Sequence, residues 1–307
     1  MRFAAAIVFS LSTAASAQTG GGFRVEETGR SFYRLDDAVK SIGEGSGTII
    51  VAPGRYPDCA VFAGANLIVR AATPSTAIFD GGACEGKATL VLRGSSATVD
   101  GIVFRGIRVP DRNGSGIRLE RGDLNVVRST FLDSEQGILT NEDAAASVSI
   151  ERSTFSGLGG CPDGMCSHSI YIGSSASLSV SKSRFERGTG GHYVKSRSRR
   201  VSISDSSFDD SNGRETNYAI DLSNGAAGRI TGNAFVVGKN KENRSAIITV
   251  APEGRDNPSA GLVVEGNEAA LAPGFPGGTT FVADWSRESL RIGANKLGAG
   301  IKVTDSR

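Results

Sequence analysis

The sequence predicts an all-β fold, a single-stranded parallel β-helix (a solenoid) running from residue 18 to residue 307, and three observations predict it. An aliphatic residue recurs in one local frame at Leu90, Ile117, Ile138, Ile170, Val194, Ile220 and Ile247, at intervals of 27, 21, 32, 24, 26 and 27 residues. Most of these are followed by a second short strand pattern and a phenylalanine, namely Phe104, Phe131, Phe155, Phe185, Phe208 and Phe235. Helical periodicity is nearly absent across the same stretch. Self-similarity of this length means stacked coils, each burying its apolar face on its neighbours, rather than one closed core.

In chain order, Met1 to Ala17 comes first: Arg2, the apolar run AAAIVFSLSTAA and Ala15-Ser16-Ala17 before Gln18. This pattern predicts a signal peptide cleaved after Ala17, too short to span a membrane, and so a secreted or periplasmic protein. Within residues 32–45, Leu35, Ala38, Val39 and Ile42 fall at i, i+3, i+4, i+7, and Gly43 and Gly45 stop the pattern. That spacing predicts a short amphipathic helix covering the open apolar end of the solenoid, followed by a TIIV strand and a PGRY turn. An ordinary α/β start is the rival reading.

The repeat units open with GIRL, GILT, SIYI, YVKS, AIDL and AIIT and continue with LNVVRSTF, ASVSIERSTF, LSVSKSRF, RVSISDSSF and AGRITGNAF. Alternating apolar and polar residues, with Gly, Asn, Ser or Asp at the breaks, is strand patterning, because successive side chains point to opposite faces. After about Gly266 the rhythm fades, so residues 267–307 are expected to form irregular last coils or a cap.

From about Phe32 to the C-terminus, these units and the preceding helix resemble the right-handed parallel β-helix proteins of the pectate-lyase type. A leucine-rich repeat would need LxxLxL spacing with an Asn, which the units lack. The resemblance implies a right-handed coil and an exported protein acting on polysaccharide. Lyases, uronate epimerases, glycoside hydrolases and binding modules all share that fold, so the site must choose among them.

Setting Arg2 aside, 33 basic residues face 32 acidic ones, so no overall field favours nucleic acid or anionic lipid. A monomer without a membrane span is expected. The 14 Phe, 41 Gly and single Trp suit a turn-rich solenoid. Four cysteines in an oxidising compartment point to disulfides. Cys161 and Cys166 bracket GGCPDGMCSH and suit a local bridge, whereas Cys59 and Cys84, 25 residues apart, would staple the first coil to the second. Other pairings stay open. A zinc site is the weaker reading, since only two histidines exist.

If the aliphatic column points inward, the residue after it points outward, and stacking makes a ladder of Val91, Arg118, Leu139, Tyr171, Lys195, Asp221 and Ile248. Tyr171, Lys195 and Asp221 are then consecutive rungs about 4.8 Å apart. Two positions further on lie Glu120, Asn141, Gly173, Arg197 and Ser223; two before the column lie His168, His192 and Tyr218. Both histidines of the protein thus fall beside the same tyrosine and lysine. Hydrogen-bonded corner residues and a plain cross-strand ion pair are the structural alternatives.

Alternation also places Lys195, Arg197 and Arg199 on the outer face, a cationic strip suited to an acidic polysaccharide. Loops PDRNGSG, Cys161 to Cys166, DDSNGRETN and GKNKENR would wall an elongated cleft over it. β-Elimination at a uronic acid needs a cation to neutralise the carboxylate, a base for the C5 proton and an acid for the leaving oxygen. Arg197 or Arg199 fits the first task, Lys195 or His192 the second, Tyr171 or His168 the third. Asp221, Tyr193 and Tyr218 complete the expected binding surface. VKSRSRRVSISDSSF also resembles the lysine- and arginine-bearing strand of β-helix lyases acting on alginate-like polymers, and the calcium-binding acids of that group are not evident in it. No cofactor is therefore expected, with calcium the one that the resemblance leaves open. Hydrolysis needs two carboxyls about 6.5 to 9.5 Å apart, and Asp221 and Glu120 are four rungs, roughly 19 Å, apart. C5-epimerisation would use the same acid and base, and a non-catalytic binder or surface-assembly protein would need only the face.

Overall fold

Period-two alternation determines where each strand of this molecule packs, because the apolar set of every strand has only the solenoid interior to bury against. The computed structural model describes residues 20–307, and the expected signal peptide lies outside the described residues. The described strands form three sheets of 12, 10 and 10 strands. One coil visits each in turn, for example Ile170–Ile172, Ser175–Ser181 and Arg184–Glu186. The next coil lies on it in parallel register, Ile170 opposite Val194, Leu178 opposite Val201 and Phe185 opposite Phe208.

The N-terminal end follows the sequence closely. Helix Leu35–Ile42 buries Leu35, Ala38 and Val39, and the chain leaves it through Gly43 at φ 65°, a left-handed conformation that glycine adopts at little cost. The helix packs on strands Phe23–Val25 and Ala60–Phe62, covering the first coil. The TIIV segment lies in strand Gly47–Val51; the expected PGRY turn instead contributes Gly54–Tyr56, the outermost strand of the second sheet.

Two columns hold the stack together. Phenylalanines 104, 131, 155, 185, 208 and 235 are fully buried and stack ring on ring, centroids 4.8–5.0 Å apart. Burying each contributes about 1.5–3 kcal/mol. At the corner before each phenylalanine from Phe131 to Phe235, a residue with positive φ, such as Arg152 (49°) or Lys182 (49°), is followed by a buried serine or asparagine. Each of these accepts the backbone N–H of its counterpart one coil earlier: Ser129 to Ser153, Ser153 to Ser183, Ser183 to Ser206, Ser206 to Asn233, Asn233 to Asn267, all at 2.9–3.2 Å. The ladder satisfies amides that the turn would otherwise leave unpaired.

Two expectations change, and the disulfides form as expected. The column holds from Leu90 to Ile220, but Ile220 pairs with Ile248, not Ile247. Both isoleucines are buried, so either register hides a β-branched side chain and alternation alone does not choose between them. Residues 267–307 are not irregular: Glu268–Leu271, Thr279–Asp284, Arg291–Ile292, Lys296–Leu297 and Ile301–Ser306 continue all three sheets, with small residues such as Ala269 replacing the phenylalanine. The disulfides are Cys59–Cys84, joining the first two coils, and Cys161–Cys166, closing the local loop.

Candidate active site on the third sheet

The outward rungs of the third sheet are Tyr171, Lys195, Asp221 and Thr249, in direct register. The one-residue shift at Ile248 removes the expected Ile248 from the ladder and supplies a hydroxyl instead. Thr249 Oγ1 donates to Asp221 Oδ1 at 2.9 Å, and Ser223 Oγ donates to Asp221 Oδ2 at 2.8 Å. Lys195 Nζ lies 3.2 Å from Asp221 Oδ2 and 5.7 Å from the Tyr171 ring centre. Lys195 and Asp221 face away from the lumen yet are buried, so the exposed-pair reading does not apply.

The cover is Glu253, which sequence reasoning missed. One of its carboxylate oxygens binds Lys195 Nζ and the other binds Arg197 Nη2. Arg197 also donates through Nε to Tyr171 Oη at 3.0 Å and through Nη1 to Asn224 Oδ1. Glu253 follows strand Ala246–Val250 past Ala251, whose φ is 58°. That turn breaks the alternating frame, so rung counting does not reach it. Its only trace in the sequence is a Pro252-Glu253-Gly254 turn one coil beyond Asp221. The loop is fixed by Asn257, whose Nδ2 donates to the carbonyls of Arg197 (3.2 Å) and Gly225 (3.1 Å).

His168, His192 and Tyr218 stack on consecutive rungs, ring centres 4.9 and 5.5 Å apart. Burial, aided by the positive charge of Lys195, holds both imidazoles well below their ordinary pKa of 6.5, so both are neutral at pH 7. Their tautomers follow from geometry. The His192 backbone N–H donates to His168 Nδ1 at 3.0 Å, so that nitrogen carries no proton. The two Nδ1 atoms are 3.2 Å apart, and a hydrogen bond between them requires the proton to sit on His192. Nε2 of His192 is left with a free lone pair, 3.6 Å from Asp221 Oδ2. A proton gained there would form an imidazolium facing a carboxylate. Tyr218 sits over this nitrogen's ring, its hydroxyl held by Asn243 Nδ2 at 2.8 Å.

Two expected binding residues fall elsewhere. Tyr193 points inward and is 1% exposed, its hydroxyl donating to Asp210 at 2.7 Å, because it occupies the inward side of the corner before Val194. Arg199 is exposed but lies beyond strand Val194–Ser196, at the corner leading into Arg200–Ser204, so the expected cationic strip ends at Arg197. Among the described residues, Cys161, Cys166 and Glu242 are gathered as metal ligands would be, but both sulfurs are committed to the disulfide. Glu120, the other carboxylate of the face, is paired with Arg93 and Lys87, and Arg93 holds it below the usual carboxylate range.

Comparison with known proteins supports the architecture. No curated protein matches the chain significantly. A solved structure of a PL6 family alginate lyase, AlyGC, superposes with a TM-score of 0.53 at 14% identity, covering 86% of this chain. The chain spans 39% of that enzyme's length, and the likeness is one of fold. The family model described as right handed beta helix region matches residues 88–269, more than half of the sequence, and the protein belongs to that family.

Proposed function

We propose that the protein acts on an acidic polysaccharide by β-elimination at a uronic acid residue held against the outer face of the third sheet. The observation that carries this reading is that Lys195 and Arg197 already share one carboxylate, that of Glu253, beside a neutral imidazole and a phenol. A uronate carboxylate entering in place of Glu253 would meet the same two cations. They would neutralise its charge and stabilise the enolate that forms on loss of the C5 proton.

His192 Nε2 takes that proton, and Asp221 stabilises the imidazolium. The electron pair left on C5 forms the C4–C5 double bond as the C4–O bond breaks. The departing oxygen takes a proton from the Tyr171 hydroxyl, which Arg197 orients. Lys195, engaged with two carboxylates, acts as the clamp, and His168 keeps His192 in the productive tautomer. Hydrolysis fits less well: Glu120 is tied up by two cations, and Asp221 lies buried beneath Lys195. The fold likeness to an alginate lyase is consistent with this class of substrate.

Incubation with polymannuronate, polyguluronate, polygalacturonate and glucuronate-containing polymers, followed by ultraviolet absorbance of unsaturated ends, tests the proposal. Absorbance should rise on at least one polymer. Binding without new ends would favour the non-catalytic module, and isomerised sugars without chain cleavage would indicate C5-epimerisation.

A further inference from the structure

Arg118 stands apart from the other cations of the site face. It occupies the same outward ladder, with Leu139 and Tyr171 as the next two rungs. Its guanidinium is about half buried, donates through Nη2 to the neutral side chain of Asn141, and has its Nε buried without a partner. No carboxylate lies within ion-pair distance of it among the described residues. Arg93 and Lys87, on the same face, are by contrast paired with Glu85 and Glu120. A half-desolvated guanidinium satisfied by one amide retains unused capacity for an anion, and a planar carboxylate matches its fork.

The space around it is shaped to receive one. An open cleft of about 370 Å³ is lined by Arg118, Asn113, Asn141, Leu139 and Tyr171, with Cys166 of the disulfide loop on its wall and the exposed carboxylate of Glu142 at its edge. Leu139 provides an apolar floor, and the two asparagines offer amides to sugar hydroxyls. Tyr171 belongs both to this cleft and to the Lys195 cluster, so the two are continuous.

We propose that this cleft is a second anionic subsite, binding the carboxylate of another uronic acid on the same polysaccharide chain. The inference rests on the uronate reading above and adds ligand length and direction. Arg118 and Lys195 are three rungs, roughly 14 Å, apart along the solenoid axis. One sugar cannot reach both cations, so the ligand is an oligomer lying along the axis, its distal acidic residue toward the N-terminal coils.

Calorimetric titration with uronate di-, tetra- and hexasaccharides tests this, with a neutral cello-oligosaccharide as control. The wild-type protein should bind more tightly as uronate length grows. Arg118→Ala and Arg118→Gln should each lower hexasaccharide affinity roughly tenfold, the scale of one charge-assisted contact, while disaccharide affinity and melting temperature stay the same. Hexasaccharide binding by both variants at wild-type strength would overturn the subsite and leave the uronate reading intact. Failure of the wild-type protein to bind any uronate would overturn both.

Discussion

Two lysine–aspartate pairs bridge neighbouring coils of this solenoid, with nearly equal lengths and opposite surroundings. Lys241 Nζ lies 3.1 Å from Asp210 and Lys195 Nζ lies 3.2 Å from Asp221. Around the first, Tyr193 and Thr216 hydroxyls fill Asp210, Thr216 also accepts from Lys241, and Phe208 and Phe235 close the site. The cavity left is about 10 Å³, close to the volume that one water probe occupies. Around the second, the outermost partner is the Glu253 side chain, 42% exposed, and a ligand carboxylate could replace it. A buried polar cluster thus becomes a candidate site only where one of its partners can be exchanged.

The sharpest test of that contrast is Asp210→Ala against Lys195→Met. Removing Asp210 strands a buried ammonium and two hydroxyls, which should cost about 3–5 kcal/mol of stability, measured by urea unfolding. Lys195→Met leaves Asp221 with its hydrogen bonds from Ser223 and Thr249. It should cost less than Asp210→Ala, about 2–3 kcal/mol, because the stranded Asp221 carboxylate keeps two hydroxyl donors, while product formation falls roughly 100-fold with the clamp gone. Equal destabilisation by the two substitutions would mean that both clusters are structural.

The fold was legible because it repeats. Phe185 and Phe208 lie one coil apart in sequence, and their stacking follows from the repeat. The same counting brought Tyr171, Lys195, Asp221 and both histidines together. It failed where the period is not enforced. Ile247 and Ile248 are equally buriable, so alternation does not choose the register, and the corner turns the Tyr193 ring inside where the sequence pattern predicts it outward. Glu253 lies past the end of its strand, where side-chain direction depends on one positive φ rather than on alternation. Burial was equally unreadable: the sequence gives the face of Lys195, but its cover comes from a loop 58 residues away.

Exchange of that cover is open to a more conservative substitution. Glu253→Gln keeps the shape and one hydrogen-bond acceptor but removes the charge competing with an incoming carboxylate. Affinity for short uronate oligomers should rise severalfold, the scale of a partly exposed ion pair, as read by calorimetry. A loss of affinity would instead make Glu253 a ligand-binding group in its own right.

The smallest effect expected is on the pH dependence of stability. His168 and His192 are the only imidazoles of the chain, and burial lowers both below 6.5. Lys195 and Lys241 add repulsion, while Asp221 and Glu253 face them with the opposite sign. Between the unfolded value and the lowered folded value, only the unfolded chain takes up these protons. Their contribution is therefore complete above pH 6.5 and is lost as pH falls toward the folded values, at up to about 1.4 kcal/mol per pH unit for each histidine. Carboxylates such as Glu120, lowered from 4.5, add their own loss only at more acidic pH. Urea unfolding of tag-free protein should therefore show stability falling from pH 6.5 to 5. The double variant His168→Gln/His192→Gln should be flat over that window while keeping its decline below pH 4.5. An unchanged slope in the double variant would place the titrating groups elsewhere and remove the basis for a neutral His192 as the base.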